Sequence, residues 1–233
     1  MGTAVVAAVG ALVFNALSAA STSSQIEVTR QGQVTERFSK AVEHLGSAGI
    51  DVRLGGVYAL GRVMRDSPPD QASVVEVLSA FVRNKAGTAA DSVADAPAAR
   101  AAVRQPGTDM KAALSVLARR NPKHDAPGQR TDLTRTNLSG FDLRGMDLHD
   151  ADLGGADLRG ANLRVVNLSG ADLGFANLTG ADLLLADLRG AQAFGAKFTD
   201  ARLDDAHLEN ARLLDLTGAH VNEGTTGLQG RRP

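Results

Sequence analysis

The chain has no cysteine and no tryptophan, and its 233 residues include only seven Phe and one Tyr. Without cysteine there are no disulfides, no thiolate nucleophile and no Cys-ligated zinc, a composition that suits a reducing compartment. So few aromatics mean that the core must be aliphatic, and at 43% hydrophobic residues the chain can build one. A net charge of −1 argues against a generic nucleic-acid binder. That near-zero total hides a division. Residues 1–130 carry 15 Lys and Arg against 11 Asp and Glu, whereas 131–221 carry 8 against 14. Such a break marks two structural units.

From Thr3 to Ala20 the sequence is uncharged for 18 residues. As a helix this stretch spans about 27 Å, slightly short of a bilayer core. Arg30, Arg37 and Lys40 follow it and no basic residue precedes it, which places the bulk of the chain on the cytoplasmic side. Residues 1–28 are therefore expected to form an apolar N-terminal helix and membrane anchor. A secretory signal would want basic residues before the apolar run, and an ordinary buried helix is the third reading.

Residues 29–86 read as a helical module. Val34, Phe38, Ala41, Val42 and Leu45 share one helical face, and Gly46 and Gly49 mark a loop. Asp51 is expected to cap a second helix that ends before Pro68 and Pro69. Ser73 to Lys85 gives a third. Gly55, Gly56 and Gly61 lack the Lys-Ser/Thr ending of a phosphate loop and suit a helix-packing surface instead. Residues 87–106, rich in Ala with Pro97 and Pro106, read as a linker. In 107–130, Asp109 is expected to cap a helix whose apolar stripe includes Met110, Ala113, Leu114 and Leu117.

From residue 131 the chain repeats every five residues. The third place of each unit is Leu in 15 of 17 cases, with Ala193 and Phe198 the exceptions; the first place is mostly Ala and the second Asp or Asn. Five residues advance a helix by about 500°, so its leucines would drift around the cylinder. On a flat strand they would alternate between faces. The pattern is satisfied when each unit forms a short in-out-in extended piece and then turns a corner. The fifth place is Gly in eight of 17 units, as a corner with positive φ requires. Four corners close a square coil of about 20 residues, and the repeat builds about four coils, a rod of about 20 Å. The expected core is Leu133, Leu138, Leu143, Leu148, Leu153, Leu158, Leu163, Leu168, Leu173, Leu178, Leu183, Leu188, Phe198, Leu203, Leu208 and Leu213. Phe141 and Met146 take small-residue places only in the first coil, where they are expected to meet the 107–130 helix as a cap. After Leu213 the register breaks, and 222–233 read as a tail.

These units resemble the pentapeptide-repeat family, whose A(D/N)LXX motif they match over about 85 residues. The resemblance implies an α+β chain in which a right-handed quadrilateral β-helix occupies 131–221 behind the small helical unit. Residues 31–70 are also similar to a helical module found upstream of the repeats in membrane-associated bacterial members. The family shares no catalytic residues. Some members bind DNA topoisomerases as an acidic, DNA-like rod, typically longer and dimeric.

No catalytic, cofactor or metal site is readable: His44, His124, His149, His207 and His220 are scattered, and His149 and His207 take outward places expected to be solvated. Apolar residues at outward places are more informative. Val165, Leu184 and Leu185 stack on one side of the square, and Phe175, Phe194 and Leu214 on the opposite side, as candidate protein contacts. The expected function is a non-enzymatic interaction or scaffold protein at the cytoplasmic face of the membrane. Its partner is a protein or a second copy of itself, without direct nucleic-acid binding. A DNA-mimicking topoisomerase-binding protein and an enzyme with no identifiable site are the alternatives.

Overall fold

The computed structural model describes residues 28–88, 107–213 and 215–228. The expected anchor, apart from residue 28, and most of the expected linker lie outside the described residues. Among the described residues no helix is long and apolar enough to cross a membrane.

Four helices form the N-terminal unit: α1 is helical over 28–45, followed by α2 (Ile50–Asp66), α3 (Gln71–Ala86) and α4 (Thr108–Leu117). Each buries a stripe of aliphatic residues, with Val57, Leu60, Val74, Leu78 and Ala113 fully enclosed. Two of the glycines sit where helices nearly touch. A Cβ on Gly56 would lie 2.7 Å from the Ala41 carbonyl oxygen of α1, and one on Gly61 would lie 3.1 Å from Val116 of α4. Gly55 faces open space. Helix α2 starts one residue before Asp51, with Gly49 at its N-cap, so Asp51 lies in the first turn and does not cap. At α4 the expected cap is displaced in the same way: Gly107 takes the N-cap position and Asp109 lies in the first turn. The Asp109 carboxylate is buried against Arg53, at 2.6 Å from Nε, while Arg53 Nη1 donates to the Ser47 and Ala48 carbonyls. This pair fastens the α1–α2 loop to the start of α4.

Beyond residue 131 the backbone forms parallel bridges at a 20-residue offset in four series, as in Asp132–Asp152–Asp172, Asn137–Asp157–Asn177, Asp142–Asn162–Asp182 and Asp147–Asn167–Asp187. This is a four-sided parallel β-helix. Its only two longer strands among the described residues are β1 (Gln192–Ala193) and β2 (Arg212–Leu213), which pair in the same register. The expected leucines line the axis at 0 to 1% exposure, and Phe198, at 2%, fills the interior one unit after the small Ala193. Only the Leu213 side chain is outside the described residues. All fifth places from 135 to 210 have positive φ, whether Gly or not. At every second place from 132 to 187 the Asp or Asn Oδ1 accepts the N–H two residues on, as in Asp152 to Gly154 at 3.0 Å and Asp172 to Gly174 at 2.8 Å. An extended residue followed by a corner leaves that N–H without a ladder partner, and the short side chain supplies one.

The last coil is shorter. Arg202 pairs with His220 and His207 with Thr226, so pairing continues past residue 221 into the segment expected to be a tail. Thr225 is buried there, its hydroxyl donating to the Leu203 carbonyl at 2.8 Å.

The helical unit closes the first coil. Residue 88 pairs antiparallel with Thr136, and Asn137 N–H donates to the Gly87 carbonyl. On another side, Arg83 donates to the Asp132 carbonyl at 2.9 Å and pairs with its carboxylate. Partial burial pushes the Asp132 carboxyl up, but the Thr134 N–H and hydroxyl together with Arg83 pull it below its ordinary value. Phe141 is buried and Met146 partly buried in a core continuous with the helices. The cap is thus not α4 alone: the end of α3 and the first two residues of the expected linker cover the open edge too.

Candidate contact surface

The β-helix makes its surface from second, fourth and fifth places, and its corners are where backbone conformation and exposure meet. A fifth place has φ between 52° and 70°, which Gly adopts without steric cost and a side chain does not. Eight of these corners carry other residues: Arg135, Asp150, Val165, Phe175, Leu185, Asp200, Asp205 and Asn210. Asp and Asn tolerate the left-handed region because their short side chains bond locally; a β-branched residue such as Val165 is a true outlier. Val165, Phe175 and Leu185 are nonetheless both strained and exposed, at 56%, 70% and 49%.

The six candidate contact residues fall as follows. Val165 N–H donates to the Leu184 carbonyl at 2.9 Å, which stacks Val165 directly on the Leu184–Leu185 corner of the next coil. Leu184 is half-buried and Leu185 exposed. Beside this patch, Arg164 reaches Asp182 at 3.1 Å, and Arg202 lies 3.7 Å from the same carboxylate. At the diagonal corner, Phe175 N–H donates to the Phe194 carbonyl at 2.8 Å. The two rings meet edge to face with centroids 5.5 Å apart, and Phe194 is 59% exposed. A Cβ on Gly195 would come within 2.8 Å of the Phe175 ring, so the glycine leaves the space the ring occupies. Leu214 lies outside the described residues.

The polar positions read differently from the apolar ones. Asp187 is held below the ordinary carboxylate range, first by the Arg189 guanidinium bonded to it, and partial burial opposes this. Asp157 and Arg159 make the same local pair at 2.7 Å. These carboxylates support corners and neutralise adjacent arginines. No group of three metal-ligating side chains is assembled among the described residues.

One expectation is corrected outright. His149 is not solvated: it is covered by the helical unit, with Nδ1 2.8 Å from Asp147 Oδ1 and Nε2 3.1 Å from Arg120 Nη2. Since guanidinium only donates, Nε2 must accept and Nδ1 must carry the proton. Arg120 also donates to the His149 carbonyl at 2.7 Å and Thr131 Oγ1 at 3.2 Å, and pairs with Asp125. Gln71, buried, continues the network to Asp125 and Asn121. Neither Gln71 nor Arg120 carries a local sequence signal for this role, because their partners include segments 11 to 54 residues away.

Among solved structures, the chain is 37% identical to a pentapeptide repeat protein from the cyanobacterium Cyanothece 51142, over 41% of this chain and 63% of that one, with a TM-score of 0.28. It is 38% identical to a pentapeptide repeat protein from the Arabidopsis thaliana thylakoid lumen, over 39% and 61%, with a TM-score of 0.34. A third, from Nostoc PCC 7120, is 38% identical over 40% of this chain and 86% of that one, with a TM-score of 0.28. The chain therefore spans less than two thirds of the first two. No curated protein matches it. The pentapeptide-repeat family model matches in eight copies over residues 129–164, 167–203 and 186–222. With that repeat carried on a four-sided parallel coil, the chain belongs to the pentapeptide-repeat family.

Proposed function

We propose that the protein is a non-enzymatic scaffold whose β-helix presents apolar corners to a protein partner, with the N-terminal segment holding it at the cytoplasmic face of the membrane. The observation that carries this reading is the coincidence of strain and exposure at Val165, Phe175 and Leu185. Folding alone favours Gly at these places, as at eight other corners of the same rod. A bulky apolar group kept there in water serves neither the core nor the turn, and exposed apolar clusters of this kind mark contact surfaces. The Val165–Leu184–Leu185 cluster is the principal face and the Phe175–Phe194 pair the second. The membrane part rests on the uncharged run Thr3–Ala20 and the basic residues that follow it.

The DNA-mimic alternative fits less well. In the fourth coil the second places are Gln192, Lys197, Arg202 and His207, which interrupt an acidic surface.

Crosslinked affinity capture from native membranes tests the contact, with size-exclusion chromatography separating self-association from a foreign partner. L184E/L185E is expected to abolish the captured species; unchanged capture rejects that face. For the anchor, an alkaline wash should release a chain lacking residues 1–24 and retain the full chain. Equal release counts against it.

A further inference from the structure

We propose that the groove between α2 and α4 takes the phosphate-bearing headgroup of an anionic lipid, a site that rests on the membrane-anchor reading for its access to the bilayer. The groove encloses about 350 Å³. Its floor is Met64 and Val116, with Gly61 letting the two helices close on each other, and its rim carries Arg62, Arg65, Arg119 and His124. Among the described residues no carboxylate lines it.

The nearby carboxylates reach the lining only at Arg65 and Gln71, and among the described residues none of them pairs with Arg62 or Arg119. Asp66 lies 3.6 Å from Arg37 and 3.7 Å from Arg65, Asp70 accepts from the Ser67 hydroxyl, and Asp125 serves Arg120 and Gln71. Arg62 and Arg119 make no ion pair or side-chain hydrogen bond among the described residues. Two such guanidinium forks above an apolar floor match a phosphodiester joined to a hydrocarbon-bearing backbone. Tyr58, on the same rim and 59% exposed, is the kind of amphipathic ring that sits at a headgroup layer.

Position supports the lipid source over a soluble one. Arg30 donates to the Asp66 carbonyl at 3.3 Å, so the first described turn of α1 lies beside the last turn of α2, one turn from Arg62. Seven residues separate Ala20 from Val28, a span of at most about 28 Å. An apolar run inserted in the bilayer would hold the groove close to the lipid surface. A compact pocket also suits a single headgroup better than the extended track that a nucleic acid needs.

The test is sedimentation of the full chain with vesicles of phosphatidylcholine alone and of phosphatidylcholine with phosphatidylglycerol. The wild type is expected to prefer the anionic vesicles. R62Q/R119Q should weaken that binding by about 30-fold, from roughly fivefold per surface arginine, with sedimentation on neutral vesicles unchanged. Both side chains are exposed, so its thermal unfolding should match the wild type. Equal binding to both vesicles, or a variant that keeps the preference, overturns the site. Arginine-dependent binding to anionic vesicles with none to neutral ones overturns the anchor and upholds the groove; binding to neither overturns both. Inorganic phosphate alone is the third arm. If it stabilises the wild type but not the variant, and strips it from anionic vesicles at matched ionic strength, the ligand is soluble phosphate and the lipid assignment fails.

Discussion

In the helical unit the side chains that hold the fold together come from distant parts of the chain: Arg53 and Asp109 are 56 residues apart, Gln71 and Asp125 are 54. In the β-helix the intervals hardly change. Strand pairing joins residues 20 apart, and the turn-supporting side chains reach N–H groups two residues on. The first region fastens its aliphatic core with a few polar contacts that each occur once. The second distributes its stability over many equivalent ones, so one defect is a fraction of the whole.

Asp109→Ala puts the greatest load on this contrast. It leaves Arg53 as a buried charge without its partner, and about 3–5 kcal/mol of stability should be lost from the helical unit. Urea unfolding followed by circular dichroism should then show the helical signal lost before the β signal; a single coincident transition would mean that the regions are one cooperative unit. Leu158→Ala in the β-helix should cost about 2–5 kcal/mol, the usual range for a fully buried leucine. If its effect is local, a second Leu→Ala more than two coils away should add to it within experimental error.

The corners give a smaller and opposite effect. Val165→Gly should stabilise by up to about 1 kcal/mol, because relief of left-handed strain exceeds the added freedom of the unfolded chain. Phe175→Gly should gain less, since it also loses the edge contact with Phe194, worth about 0.5–1.5 kcal/mol. Thermal unfolding of the two variants would show the difference; equal gains would mean that the aromatic pair contributes nothing to folding.

The smallest effect is on acid stability. The folded Asp187 carboxyl lies below its ordinary value, so the folded state holds the ionised form more tightly than the unfolded chain does. Its contribution is complete above the unfolded value near pH 4 and is lost as pH falls through the lower folded value. Asp187→Asn should flatten that acid limb in a stability-versus-pH series by slightly lowering the neutral plateau, with stability below the folded value little changed.

The β-helix was legible because its rule is local. Leu at third places, small residues at first places and Asp or Asn at second places recur at a fixed interval, and each does the same task at every repeat. The helices were legible from apolar spacing, but their ends were not. Asp51 and Asp109 looked like caps, yet Asp51 stands inside the first turn and Asp109 is taken by Arg53. His149 looked like one more outward residue of the repeat and was claimed by Arg120.

By itself, then, the amino-acid order determined the coil, its corners and the aliphatic interior, because period and backbone geometry act between neighbours along the chain. Only the folded arrangement decided how the rod is closed, which histidine is covered, and that three arginines and a histidine ring one apolar groove. Those outcomes depend on segments tens of residues apart meeting in space, and no local spacing encodes such a meeting.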